Sequence, residues 1–95
     1  MVYIDNFYVA YGKWRGMSMC HMIADDTTEL LLFAAAIGLR LEWIQKPGDY
    51  VQEHFDVCLS KKRLAVELGA KDVTWRELGA IIQERFNQQR NGKRI

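Results

Sequence analysis

Met17-Ser18-Met19-Cys20-His21-Met22-Ile23-Ala24-Asp25-Asp26-Thr27-Thr28-Glu29-Leu30 passes from one kind of backbone to another within a few residues. Met17 to Ile23 reads as an extended segment. Asp26-Thr27-Thr28-Glu29 has the spacing of a capping box, an N-cap acid followed three residues later by a Glu. The helix it opens, Leu30 to Ile37, is almost wholly apolar, which predicts burial on most sides. Gly38 supplies a left-handed cap. A strand running straight into a buried helix is a unit of layered α/β architecture.

The same alternation extends in both directions. Val2-Tyr3-Ile4-Asp5 reads as a short strand ending in an acid, and residues 6–16 as a loop with Gly12 and Gly16 around Lys13-Trp14-Arg15. Leu41 to Gln45 is expected to be a strand, broken by the turn Lys46-Pro47-Gly48-Asp49. Phe55 to Leu59 is extended and mostly apolar. Ser60 is the expected N-cap of a second helix reaching about Leu68, with Gly69 ending it. Lys71 to Val73 is strand-sized. Thr74-Trp75-Arg76-Glu77 is another capping box, opening a third helix to about Gln88, with Leu78, Ile81, Ile82 and Phe86 at helical spacing. These elements predict a small single-domain α/β sandwich with a short, partly parallel sheet and about three helices, over residues 1–88, followed by a basic flexible tail, 89–95. Trp43 and Trp75 are expected in the core.

The chain has 95 residues, 49% of them hydrophobic, enough for one core and too many for disorder. A domain this small buries a modest fraction of its surface, so a homodimer is compatible with it. The net charge of +1 argues against wrapping nucleic acid wholesale. No cationic start leads into an apolar stretch, and no apolar run approaches the roughly 18 residues of a membrane span, so neither a signal peptide nor a membrane partner is expected. Cys20 and Cys58 lack metal-finger spacing and read as free thiols of a cytoplasmic protein.

Chemistry is concentrated around two histidines. His54 and Asp56 are an i, i+2 pair, which a strand would project from one face, the acid fixing the imidazole tautomer. His21 and Asp25 precede the first helix, although His21 also fits a hydrogen-bonded core position. Ser60-Lys61-Lys62-Arg63 is the candidate anion site, because exposed N–H groups at a helix start attract phosphate and the cations add charge. Lys13 and Trp14 combine charge and a stacking ring in a glycine-flanked loop, and Arg76 is a further cation. Asp5, Asp25 and Asp56 form an alternative set of oxygen ligands for Mg²⁺ or Mn²⁺.

The order of the motifs adds a resemblance. A strand ending in Asp5, Lys13-Trp14-Arg15, His21-Met22-Ile23-Ala24-Asp25, Ile37-Gly38-Leu39, His54-Phe55-Asp56, Gly69-Ala70 and Arg76-Glu77-Leu78 resemble, over roughly residues 2–85, an uncharacterised family of bacterial and phage proteins known only as a domain of unknown function. Larger bacterial proteins of similar pattern carry this module beside a metal-dependent phosphohydrolase-like domain, which implies a link to nucleotides or phosphorylated metabolites. The resemblance implies Asp5, His21, Asp25, His54, Asp56 and Arg76 as the family positions. The short stand-alone form is similar to the phage versions, implying a place in the host cytoplasm.

The leading expectation is a small cytoplasmic module that binds a nucleotide-like or phosphorylated ligand without a cofactor, as a phage protein sequestering a host nucleotide signal would. His21, His54, Lys61, Arg63, Lys13, Trp14 and Arg76 would contact the ligand, with Asp5, Asp25 and Asp56 orienting them. One alternative is a metal-dependent phosphoesterase or nuclease. Another is a phage protein that binds and inhibits a host protein through its aromatic surface and the loop Pro47 to Gln52.

Overall fold

The computed structural model describes residues 1–11, 13–14 and 17–92. Its centre is the long strand β3 (Met17–Ala24), which pairs antiparallel with three others: β1 (Val2–Ile4), β2 (Lys13–Trp14) and β4 (Phe55–Cys58). β5 (Lys71–Asp72) lies parallel to β1. The expected α/β sandwich with a partly parallel sheet therefore forms. Its principal helices are α2 (Thr27–Ala36), α3 (Leu59–Glu67) and α4 (Trp75–Gly92), with a short α1 (Phe7–Tyr11).

Side-chain alternation along the strands splits the molecule into two faces. Val2, Ile4, Cys20, Met22, Ala24, Phe55 and Val57 face α2 and α3, where they join Leu30, Ala34, Ile37 and Ala65 in the main core. On the opposite face Tyr3 and Ile23 meet Val73, Leu78, Ile81 and Ile82 around the start of α4. On this same face the strands present His21, His54 and Asp56, each partly exposed.

One expected capping box forms in full and the other by half. Asp26 accepts from the Glu29 N–H at 2.7 Å, while the Glu29 carboxylate turns to the amino group of Met1. Thr74 and Glu77 bond reciprocally, each side chain to the other's N–H at 3.1 Å. Gly38 takes φ +84°, the left-handed conformation expected of it.

Several local expectations are overturned. Residues 7–11 of the expected loop are helical, because Asp5 caps the Phe7 N–H and leaves the chain turning. Leu41 to Trp43 is a 3-10 turn rather than a strand, and only Gln45 pairs, with His54. α3 begins two residues early: Cys58 holds the N-cap position, without a side-chain cap, and Ser60 lies inside the first turn. α2 is buried on one side only, with Leu32 68% exposed. Trp43 is likewise on the surface, and Trp75 is half-buried. α4 continues to Gly92, and residues 93–95 lie outside the described residues. Among the described residues no helix is long and apolar enough to cross a membrane.

Candidate functional site

The site is built where β1, β3 and β4 run side by side. The β3–β4 register sets His21 opposite Asp56, and alternation on β4 puts His54 on the same face. One ring nitrogen of His21, one of His54 and a carboxylate oxygen of Asp56 all lie within 4.8 Å of one another. His21 Nε2 is 3.9 Å and His54 Nε2 3.5 Å from Asp56 Oδ1.

The other nitrogen of each imidazole is already committed. His21 Nδ1–H donates to Asp5 Oδ2 at 2.9 Å, and His54 Nδ1–H donates to the Gln52 carbonyl at 2.8 Å. When neutral, each ring therefore keeps its proton on Nδ1 and turns Nε2 towards the cluster. The Phe7 ring, edge-on to His21 at 4.5 Å between centroids, limits that ring's rotation further.

Asp5 acts from behind. It is buried, and its carboxylate also accepts the N–H of His21 at 2.7 Å and of Phe7 at 3.2 Å. Its own carbonyl accepts the Lys62 ammonium at 2.9 Å. A carboxylate so fully engaged orients a histidine and has little capacity left for a ligand.

The charges of the pair reinforce one another. Burial pulls the His54 pKa down, but the hydrogen bonds to Asp56 and Gln52 and the nearby acids outweigh it, so the pKa lies above the usual imidazole value. The His54 hydrogen bond lowers the Asp56 pKa, against a smaller opposing effect of burial.

Two cavities flank the cluster, the histidines lining one and Asp56 the other. One, of about 320 Å³, is lined by both histidines and by Phe7, Trp75, Ile82 and Phe86. The second, of about 590 Å³, is lined by Asp56 and Lys61, with Trp43, Glu42 and Cys58 along its walls.

The remaining expected site residues are dispersed. Asp25 points to the other end of the sheet, pairing with the Met1 amino group at 3.1 Å. Burial pushes its carboxyl up, but hydrogen bonds from that amino group and from Tyr3 outweigh this and leave its pKa low. The trio Asp5, Asp25 and Asp56 therefore does not assemble as an oxygen cage. The basic run splits as α3 turns. Lys61 reaches the second cavity, and Arg63 is exposed and lines neither. Lys62 is buried against the Asp5 carbonyl and Asp72. Arg76 lies over the Trp75 ring at 5.1 Å, outside the first cavity's lining. Of Lys13 and Trp14 only the backbone pairing with β3 is described; their side chains and Arg15 lie outside the described residues.

The Gln52 carbonyl and the ring of Phe7 escaped the sequence reading. A carbonyl carries no sequence signal, and Phe7 sat in what read as loop. Trp75 and Phe86 were visible as part of the helical pattern, which signals burial and says nothing of a cavity.

Two imidazoles and a carboxylate converging from neighbouring strands of an α/β sandwich define a compact class of polar centre. Residues 2–85 match a protein family of unknown function, DUF4031, and the chain belongs to that family. No curated protein and no solved structure matches the chain.

Proposed function

We propose that the protein is a metal-dependent phosphoesterase-like module whose ion is held by His21, His54 and Asp56 and whose substrate is a nucleotide-like or phosphorylated molecule. The observation that carries this reading is the tying-off of both Nδ1 atoms while both Nε2 atoms face Asp56. Metal-binding histidines characteristically donate their second N–H to a carboxylate or backbone carbonyl, which fixes the tautomer and raises ligand basicity. Here Asp5 and Gln52 have those two roles.

The donor set selects among ions. Mg²⁺ and Ca²⁺ prefer all-oxygen surroundings, whereas two imidazoles and one carboxylate suit Mn²⁺, Fe²⁺ or Zn²⁺. Three protein donors leave positions for water and a phosphoryl oxygen, the arrangement of catalytic rather than closed structural centres. Ligands about 2.0–2.2 Å from an ion stand roughly 3–3.5 Å from each other, so the donors close by on the order of an ångström on binding. Asp56 is half-exposed and has the room to do so.

The chain's own residues supply position and environment. Asp5 fixes the His21 ring, Gln52 fixes His54, and the aromatic walls of the first cavity exclude water from a bound planar group. A bound ion would polarise the phosphoryl oxygen and make water nucleophilic at neutral pH.

A second reading, ligand binding without turnover, is favoured by the apolar lining of the first cavity, which suits a base as well as a leaving group. One experiment separates them. Metal-free protein is titrated calorimetrically with Mn²⁺ and Zn²⁺, and the loaded protein is then assayed on p-nitrophenyl phosphate esters. Stoichiometric uptake with metal-dependent turnover that both His54→Ala and Asp56→Asn abolish supports the phosphoesterase. Uptake with nucleotide binding but no turnover supports the binding module. Absence of uptake overturns the metal reading.

A further inference from the structure

We infer that the ligand of this centre is a phosphodiester, with its phosphate at the metal donors and an organic group in each of the two cavities. The inference rests on the metal reading above and adds the class of molecule. The three donors do not sit at the bottom of one pocket. The histidines line the cavity under α4, while Asp56, directly across the β3–β4 ladder from His21, lines the cavity beside α3. An ion shared by the three donors would therefore have one cavity on the histidine side and the other on the Asp56 side. A monoester has one organic substituent and would leave one cavity filled with water; a diester has two.

The cavities differ in chemistry, so the two arms differ too. Phe7, Trp75, Ile82 and Phe86 make the first a slot for a planar apolar group. Among the described residues its lining carries no lysine or arginine. The other is also largely apolar, but its wall carries an ammonium, Lys61, with the carboxylates of Glu42 and Asp56. Lys61 reaches it from the first turn of α3, with its ammonium close to Gly38, where an added Cβ would stand 2.8 Å from Nζ. Trp43, 51% exposed, presents indole surface on the same wall. An aromatic platform beside an ammonium suits a nucleoside arm: the base stacks, and the cation stays near the phosphate.

Hydrolysis of such a ligand balances with water alone. The water oxygen forms a bond to phosphorus, and the bond from phosphorus to one ester oxygen breaks. The water proton passes to solvent, and the departing alkoxide takes one from solvent. The products are a phosphomonoester and an alcohol, one arm on each side.

The test compares dithymidine monophosphate, a diester, with thymidine 5′-phosphate, a monoester bearing the same base. Binding to Mn²⁺-loaded protein is measured by calorimetry, and products are followed by chromatography. The expected result is at least tenfold tighter binding of the diester. In Lys61→Met, and separately in Trp43→Ala, that preference falls towards unity while Mn²⁺ affinity is unchanged. Equal or tighter binding of the monoester by protein that takes up Mn²⁺ normally overturns the diester assignment and leaves the metal centre standing. A diester preference that neither substitution reduces overturns the placement of the second arm. Failure to take up Mn²⁺ removes the reading beneath the proposal, and the proposal with it.

Discussion

The two faces of the sheet are made by the same strands and have opposite fates. On one face Cys20, Met22, Phe55 and Val57 are fully buried beneath α2 and α3. On the other, their immediate neighbours His21, Asp56 and His54 stay partly open and border cavities instead of a packed core. A single step along β4, from Phe55 to Asp56, moves from packing to chemistry. The difference teaches that stability and site are separable here: the sealed face holds the strands in register, and the register alone brings the donors together.

That separation can be broken most forcefully from the sealed side. Phe55→Ala leaves a cavity in the main core and is expected to cost about 3–5 kcal/mol of stability, read by urea denaturation. Near-wild-type stability would mean that the sealed face is not what holds the fold. The opposite pattern is expected of Asp56→Asn: at least about a 100-fold loss of Mn²⁺ affinity, with stability within about 1 kcal/mol of wild type. A loss of stability matching the loss of affinity would collapse the distinction between the faces.

Asp5→Asn sharpens the comparison, because Asp5 belongs to the frame and yet touches the site. Weakening its hold on His21 is expected to reduce Mn²⁺ affinity about 10–100-fold while the ion remains bound by the same three side chains, so that the Mn²⁺ stoichiometry is retained. A smaller effect is expected at the margin of the open face. Thr74→Ala removes half of the α4 capping box and should cost about 1 kcal/mol of stability without altering metal affinity.

The mildest probe is pH. His54 titrates above its unfolded value, so its imidazolium stabilises the metal-free fold below about pH 6.5, and that contribution fades as the pH rises through the folded pKa. Asp56 titrates below its unfolded value, so its contribution is present above about pH 4 and is lost as the pH falls through the folded pKa. The pair therefore supports the apo fold between these limits. In Asp56→Asn the His54 midpoint, followed by NMR, should move down; an unmoved midpoint would show that Asp56 does not set it. Metal uptake competes with the His54 proton and should weaken on acidification from above pH 6.5.

What was legible in the sequence was local. Asp26 with Glu29 and Thr74 with Glu77 announce helix starts because a cap is made within four residues. The strand that ends at Asp5 and the run from Met17 were equally readable from alternation. The pairing of His54 with Asp56 on one face followed from strand period alone. Illegible were the features fixed by distant partners. Nothing near His21 says that Asp56 lies opposite, because that register joins strands far apart in the chain. Asp25 looked as good an acid as Asp5, yet the end of β3 carries it towards Met1 and Tyr3. Lys61, Lys62 and Arg63 read as one basic run, but successive helix positions diverge by roughly 100°, since a turn takes about 3.6 residues, and each met a different environment. Leu41 to Gln45 had strand composition and only one bridge partner available, at Gln45.

The parallel pairing of β1 with β5 also orders events at the ribosome. His21, His54 and Asp56 are all synthesised before Lys71 and Asp72, which complete the sheet, and before α4, which contributes Trp75, Ile82 and Phe86. A nascent chain ending near residue 70 therefore carries every proposed metal donor, an uncovered β1 edge and only part of the first cavity's wall. Such an edge invites pairing with other chains. Its concealment and the completion of the cavity both wait for the residues that follow position 70.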